Sequence, residues 1–276
     1  MEAVLRGRLK REQRTGDAVV VGDRVEVLRH PDDGHTIEGV AERTSELARR
    51  APGRGRHRAK VMVANVDQIV AVFAVTHPAP RLRMLDRFLV LAEANDLDAT
   101  VVANKVDLAI GDRAAFEVYE AIGYPVIYTS AATGEGIDRL RETLCDRISA
   151  LAGPSGVGKS SLLNAMEPGL GLRTGEVSEA VRKGRHTTVS ARLIPLECGG
   201  YVADTPGLRE LGLWGIEPEE LDLCFPELRP YVDDCRYGRS CSHSHEPGCA
   251  VRPAVEAGAI PTLRYEHYVS LLAGDD

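Results

Sequence analysis

Residues 153–160 read GPSGVGKS and match the pattern G-x-x-x-x-G-K-[ST]. An apolar run, residues 149–152, precedes them, and a run with helical spacing, residues 161–166, follows. Glycines let the backbone wrap a phosphate so that successive N–H groups and a helix N-terminus face it. We therefore predict a P-loop that binds a nucleoside triphosphate, with Lys159 at the β and γ phosphates and Ser160 as a ligand of Mg²⁺. The predicted nucleotide contacts in this loop are Gly153, Pro154, Ser155, Gly156, Val157, Gly158, Lys159, Ser160 and Ser161.

Apolar runs alternate with amphipathic runs on both sides of the loop. The runs typical of buried strands are residues 69–75, 99–104, 125–130 and 201–204, and those with helical spacing are 81–95, 114–123 and 136–148. This alternation predicts an α/β domain with a mainly parallel sheet covered on both faces, which we assign to residues 61–212.

Asp204 ends a predicted strand and begins the pattern D-x-x-G. A parallel sheet would deliver this carboxylate to Mg²⁺, and the N–H of Gly207 would reach the γ phosphate. Residues 184–188 read GRHTT, and Thr187 or Thr188 could complete the Mg²⁺ shell while the γ phosphate is present. The sequence leaves the choice between the two threonines open.

A base-reading segment is predicted upstream of the P-loop. Asn104, Lys105 and Asp107 form N-K-x-D after one predicted strand, and Ser130 and Ala131 follow another. A carboxylate at Asp107 can accept two hydrogen bonds from guanine, whereas adenine offers neither donor, so a site built in this way rejects adenine. We predict that this segment recognises guanine.

Together, NKVD, SAA, GPSGVGKSS, GRHTT and DTPG resemble the motif set of translation-factor-like GTPases, but the base motifs precede the P-loop. This order resembles that of circularly permuted GTPases, and in detail the family of ribosome small-subunit-dependent GTPase A. The resemblance implies a GTP hydrolase that acts in late maturation of the small ribosomal subunit. It also implies an N-terminal OB-like domain and a C-terminal zinc-binding domain that contact ribosomal RNA. GTP, GDP and the small subunit with its rRNA are then the expected partners.

Two other functions stay open at this stage. The first is a nucleotide-gated RNA-binding module whose hydrolysis is incidental. The second is a P-loop kinase or ATPase, which the N-K-x-D segment argues against.

Position 208 bears on hydrolysis, because many GTPases place there the glutamine that orients the attacking water. This chain has Leu208, which cannot do so. The resemblance implies that His186 acts instead, since an imidazole can orient water or accept its proton near neutral pH. The alternative is that His186 only packs within its loop.

A Cys/His cluster near the C-terminus predicts a metal centre. Cys235, Cys241, His243 and Cys249 form C-x5-C-x-H-x5-C among Gly, Pro and Ser. Three cysteines and a histidine suit tetrahedral Zn²⁺ and leave no open position for chemistry, so we predict a structural zinc site. His245 is the competing ligand. We assign residues 213–276 to this domain and predict helices at 217–225 and 262–274.

Residues 1–60 contain short alternating runs broken by Gly and Pro, which predicts a small β domain. Whether it holds all five strands of an OB-like barrel stays open. Residues 49–60 carry a run of basic side chains with no acid among them. Such a run is typical of a solvated linker or of a surface that binds RNA phosphates.

Composition excludes a disordered or fibrous protein, since 43% of the residues are hydrophobic and 27% are charged. No run approaches the roughly 18 apolar residues of a membrane span, and the N-terminus lacks a secretory pattern. We expect a soluble, cytoplasmic monomer that binds neither membrane nor DNA. Six cysteines are too few for a disulfide scaffold, so we expect Cys145, Cys198 and Cys224 to be core residues.

Overall fold

The computed structural model describes residues 3–6, 19–30, 34–50, 59–108, 113–172, 192–204 and 216–274, with the backbone alone at residues 49, 50, 59, 60 and 204. The strands are β1 (Ala3–Leu5), β2 (Val25–His30), β3 (Gly34–Val40), β4 (Glu46–Arg50), β5 (Ala59–Ala64), β6 (Gln68–Ala74), β7 (Asp98–Asn104), β8 (Val126–Thr129), β9 (Ile148–Ala152), β10 (Arg192–Pro195) and β11 (Tyr201–Asp204). The α-helices are α1 (Leu82–Glu93), α2 (Ala114–Ala121), α3 (Ile137–Leu144), α4 (Lys159–Met166), α5 (Arg229–Val232), α6 (Val251–Glu256) and α7 (Thr262–Leu272).

The N-terminal part is built from strands, as the alternating runs predict. β1, β3 and β2 form one sheet in that order, and β4 pairs antiparallel with β5 in a second. A β-bridge from Val21 to Val63 links the segment before β2 to β5. The side chain of Asn65 adds a hydrogen bond to the carbonyl of Gly22 at 2.8 Å. β5 continues past residue 60 and leads directly into the next sheet.

The central sheet has the order β10-β11-β9-β6-β7-β8. All neighbouring pairs are parallel except β10 and β11, which are antiparallel at one edge. One core packs α1 and α2 on one face, and a second core packs α3 and α4 on the other. β6 is buried along its whole length. The prediction of a mainly parallel sheet covered on both faces is confirmed.

Two predicted helices are shorter than expected. The helix predicted over 136–148 ends at Leu144, because Asp146 has φ +59° and β9 begins at Ile148. The helix predicted over 217–225 is instead two short 3₁₀ turns, Pro218–Glu220 and Asp222–Cys224. Phe225 comes next and is extended, with φ −116° and ψ 96°, because Pro226 follows it and a proline disfavours α-helical geometry in the residue before it.

The C-terminal module, residues 216–274, has its own core and packs on α1. Val90 of α1 belongs to that core. Arg264 of α7 is fully buried and donates to Asp86 of α1 at 2.5 Å and to Glu227 at 2.6 Å. Since α1 also covers the central sheet, it joins the module to the domain built on that sheet.

The cysteines outside the Cys/His cluster have two different fates. Cys224 is 5% exposed, which confirms its assignment to the core. The assignment is wrong for Cys145 and Cys198, which are half-buried and form a disulfide. They meet because β11 pairs with β9, and this pairing brings the β10–β11 turn against the end of α3. Spacing along the chain carries no sign of this contact.

No helix within the described ranges is both long and apolar enough to cross a membrane.

Candidate nucleotide site and metal centre

The predicted nucleotide segments all follow strands at one edge of the central sheet. β7 ends at Asn104, β8 at Thr129, β9 at Ala152 and β11 at Asp204. These four strands run in the same direction, so their carboxyl ends lie together. In open α/β sheets this is the edge that binds ligands.

The P-loop has the backbone of a phosphate cradle. Gly153, Gly156 and Gly158 have φ of +135°, +81° and +100°, a region that side chains rarely adopt. A Cβ at residue 153 would lie 2.1 Å from the carbonyl oxygen of Val72, so glycine is required there. Lys159 begins α4, and its Nζ donates to the carbonyls of Gly153 at 2.7 Å and Pro154 at 2.8 Å. The ammonium therefore lies over the loop.

The rest of the predicted loop continues directly into α4. Val157 is 1% exposed and belongs to the core that packs α3 and α4 against the sheet, so it anchors the loop there. Ser155 is exposed, whereas Ser160 and Ser161 are half-buried in the first turn of the helix. The N–H groups of that first turn have no partner within the helix, which makes the turn suited to an anion.

The base-reading segment touches the P-loop directly. Asn104 is 1% exposed, and its Nδ2 donates to the carbonyl of Val157 at 2.7 Å. Lys105 has φ +65°, and its Nζ donates to the carbonyls of Gly156 at 2.6 Å and His77 at 2.5 Å. The side chains of Asn104 and Lys105 thus hold the base-reading segment against the P-loop, which is distant from it in the sequence.

A second polar contact joins the two predicted base-reading segments. Ser130 is buried, and its hydroxyl donates to Oδ1 of Asp107 at 2.6 Å. The same oxygen of Ser130 accepts the N–H of Ala132 at 3.2 Å, which orients the hydroxyl. Ala131, between them, is half-buried against the core. Ser130 therefore holds one oxygen of the Asp107 carboxylate in place.

Sequence reasoning missed two groups that support this site. The hydroxyl of Thr129 donates to Oδ1 of Asn104 at 3.1 Å, and the His77 carbonyl accepts from Lys105. Thr129 immediately precedes Ser130, so the strand end gave a signal for it. A backbone carbonyl such as that of His77 gives none, because any residue carries one.

Several predicted residues lie outside the described part of the chain. They are His186, Thr187, Thr188 and Gly207, together with Leu208 and the basic residues 51–58. Asp204 ends β11. The residue before it, Ala203, is the register partner of Ala150 in β9. The backbone at Asp204 therefore lies beside the strand that leads into the P-loop.

The four predicted metal ligands are brought together. One ligand atom from each of Cys235, Cys241, His243 and Cys249 lies within 4.8 Å of all the others, and all four side chains are buried. His245, the competing candidate, is exposed, and its Nδ1 contacts the Ser244 hydroxyl at 2.8 Å. The geometry therefore favours the C-x5-C-x-H-x5-C set.

The chemistry of this donor set fits a thiophilic divalent cation. Burial raises the pKa of the Cys241 thiol to about 12, so this thiol keeps its proton at neutral pH unless a cation displaces it. Against the effect of burial, the hydrogen bond that His243 donates to Asp222 and the neighbouring thiols raise the pKa of His243 to about 9. The N–H of Ala250 donates to the Cys235 sulfur at 3.2 Å.

The fold and the paired segments define a class of protein: a P-loop GTPase in which the base-reading motif precedes the phosphate loop, that is, a circularly permuted GTPase. The sequence model of the RsgA GTPase family matches residues 40–214, and the chain belongs to that family. The resemblance noted from the motifs is thereby confirmed.

Known relatives agree with this assignment over nearly the whole chain. The small ribosomal subunit biogenesis GTPase RsgA of Gemmatimonas aurantiaca is 55% identical over 273 residues, covering 98% of this chain and 88% of that protein. The protein of the same name from Thermotoga maritima is 45% identical, over 92% of this chain and 82% of its own length. The crystal structure of YjeQ from Thermotoga maritima superposes with a TM-score of 0.79 at 41% identity, covering 99% of this chain and 89% of that one. YloQ, described as a circularly permuted GTPase, gives a TM-score of 0.72 at 35% identity, with 98% and 85% of the two chains covered.

Proposed function

We propose that this chain hydrolyses GTP and acts as an assembly factor of the small ribosomal subunit, with hydrolysis timing its release. The observation that carries the proposal is the pair of contacts from Asn104 to Val157 and from Lys105 to Gly156, which unite the base-reading segment with the phosphate loop. The relatives named as small ribosomal subunit biogenesis GTPases supply the subunit as the partner.

Guanine selectivity would come from Asp107. Ser130 holds one carboxylate oxygen at 2.6 Å, and the carboxylate so held would accept from N1–H and the 2-amino group of a guanine. Adenine would leave this acceptor without donors, and leaving a charged acceptor unpaired costs more binding free energy than losing a neutral contact. The side chain of Lys105, spanning from β7 to the P-loop, would lie along the plane of the base.

Phosphate and Mg²⁺ binding would fall to the P-loop and the strand ends. Mg²⁺ supplies charge neutralisation at the phosphates when it is bound. Lys159 would contact the β and γ phosphates, and Ser160 and Asp204 would ligate the ion together with Thr187 or Thr188. Gly207 would give its N–H to the γ phosphate. His186 would orient the attacking water, because Leu208 cannot; a rate unaffected by His186→Ala on the subunit would remove that role.

The Cys/His cluster would hold one structural Zn²⁺. Four protein ligands fill a tetrahedral shell, so the ion would stabilise the C-terminal module rather than take part in the reaction. The basic run of residues 49–60 would offer phosphate contacts to rRNA, and the net charge of −7 does not oppose this, because phosphate neutralisation is local.

The experiment is the rate of GTP hydrolysis with and without purified small subunits. We expect slow turnover by the protein alone and a large stimulation by the subunit. Lys159→Ala, which would remove a contact to the phosphates, controls for contaminating hydrolases, and ATP controls for base selectivity. Equal rates with and without subunits, while nucleotide-dependent subunit binding persists, would instead favour a nucleotide-gated RNA-binding module.

A further inference from the structure

The two ring nitrogens of His243 have different surroundings. Nδ1 lies 3.4 Å from the sulfur of Cys235 and 3.6 Å from that of Cys249. Nε2 points away from the sulfurs and lies 3.2 Å from Oδ2 of Asp222. The ring is fully buried, so water cannot replace either contact. Nδ1 is therefore the nitrogen that faces a metal held by the cluster.

A histidine binds a metal as the neutral imidazole, with the proton on the nitrogen that faces away from the metal. Here that nitrogen is Nε2, and a carboxylate is the acceptor that best fixes the proton there. An acceptor at Nε2 also makes Nδ1 more electron-rich, which strengthens its bond to the metal. Asp222 lies beside Nε2, so its carboxylate can both fix the proton there and make Nδ1 more electron-rich.

Asp222 is itself held in position. It is 6% exposed, and its second oxygen, Oδ1, accepts the N–H of Leu223 at 2.8 Å. The 3₁₀ turn that carries it packs into the core of the C-terminal module, to which Cys224 and Val90 of α1 both belong. The carboxylate therefore cannot turn away from His243 without losing a buried hydrogen bond.

The backbone of His243 is fixed by other groups, which separates its position from the orientation of its ring. The residue has φ +57°, and the hydroxyl of Tyr265 donates to its carbonyl at 2.8 Å. The hydroxyl of Tyr268 donates to the preceding carbonyl, that of Ser242, at 3.0 Å. These contacts place the residue, whereas the contact with Asp222 sets which ring nitrogen carries the proton.

We propose that Asp222 is a positioning residue of the metal centre. Its carboxylate accepts the hydrogen bond from the Nε2–H of His243, so that Nδ1 faces the ion. The inference rests on the proposed zinc site and names a residue beyond its four ligands. Nothing in the sequence indicates it, because Asp222 lies 21 residues before His243 and outside the Cys/His spacing.

The test is the Zn²⁺ dissociation constant of the full chain, measured by competition with a chromophoric chelator. Asp222→Ala should weaken binding about 10- to 100-fold, the range for loss of such outer partners. Asp222→Asn should give an intermediate loss, because its single acceptor oxygen can serve Leu223 or His243 but not both. The matched control is Asp234→Ala, which removes an exposed acid next to Cys235 and should leave the constant unchanged.

A second measurement reports on the proton rather than on stability. In the zinc-loaded wild type, the Nε2–H of His243 should give a slowly exchanging NMR signal, and Asp222→Ala should lose it. If the wild type takes up one equivalent of Zn²⁺ and both Asp222 variants bind it as tightly, the inference is overturned and the zinc site stands. If the wild type takes up no Zn²⁺, the zinc site fails and the inference fails with it.

Discussion

Arg264→Ala should loosen the C-terminal module from α1. The guanidinium is fully buried and joins Asp86 on α1, at 2.5 Å, to Glu227 in the module, at 2.6 Å. It also lies 4.5 Å from the centre of the Phe225 ring. Truncation to alanine would leave two buried carboxylates without their cation.

The expected cost is about 3 to 5 kcal/mol, the range for removing one partner of a buried ion pair. Asp86, with no exposed surface, would keep the hydroxyl of Tyr119 at 2.8 Å and a contact with His267. Glu227, whose side chain is 4% exposed, would keep no cation among the residues that the structure describes, so the penalty falls mainly on it. Since about 1.4 kcal/mol is a factor of ten, local opening should become roughly a hundred- to several-thousand-fold more frequent.

Amide hydrogen exchange in α7 measures this opening, with β6 as the internal reference. Arg147→Ala is the matched control, because its pair with Asp98 at 2.9 Å has side chains that are 45% and 70% exposed. That pair should contribute at most about 1 kcal/mol. Exchange in α7 that changes no more in Arg264→Ala than in Arg147→Ala would refute the reasoning.

Two other predictions concern the phosphate loop and a buried thiol. Gly158→Ala should weaken GDP binding about tenfold or more, whereas the control Gly134→Ala should not. Both glycines have positive φ, +100° and +84°. They differ in that a Cβ at residue 158 would lie 2.4 Å from Nδ2 of Asn104, whereas a Cβ at residue 134 would meet nothing within 4 Å. Titration with a fluorescent GDP analogue measures this, and equal losses would contradict the assigned contact. Burial and the charge of Glu93 raise the pKa of Cys224 from 9.0 to about 12, so the folded protein keeps this proton where the unfolded chain loses it. The stability from this thiol is therefore intact below pH 9 and is lost as pH rises from 9 to 12. Iodoacetamide at pH 8, with mass spectrometry, should leave Cys224 unmodified in the folded protein, and modification at the rate of a free thiol would contradict its burial.

The convergence of the nucleotide segments could be predicted from the sequence. Asn104 and Gly153 each follow an apolar strand, and carboxyl ends of parallel strands meet at one edge of a sheet. The glycines of the P-loop were equally readable, because a close approach such as that of residue 153 to the Val72 carbonyl admits no side chain. Local chemistry fixed both features, so local patterns were enough to find them.

Contacts between distant polar residues could not be predicted in this way. Asp86 and Arg264 are separated by 178 residues, and in their own helices each resembles an ordinary exposed charge. Their burial follows from the docking of the C-terminal module on α1. The pattern of apolar residues within either helix does not predict that docking. The disulfide of Cys145 with Cys198 has the same origin, since strand pairing brings the two thiols together.

The measurement that bears most directly on the nucleotide site is the affinity of wild type and Asp107→Asn for GDP and for xanthosine diphosphate. Xanthine replaces the 2-amino donor of guanine with an oxygen acceptor, which suits an amide rather than a carboxylate. If Asp107 and the P-loop read one ligand, the wild type should prefer GDP, and Asp107→Asn should lose GDP about a hundredfold while gaining the xanthine nucleotide. Unchanged GDP binding by Asp107→Asn would show that the two segments do not share a guanine nucleotide.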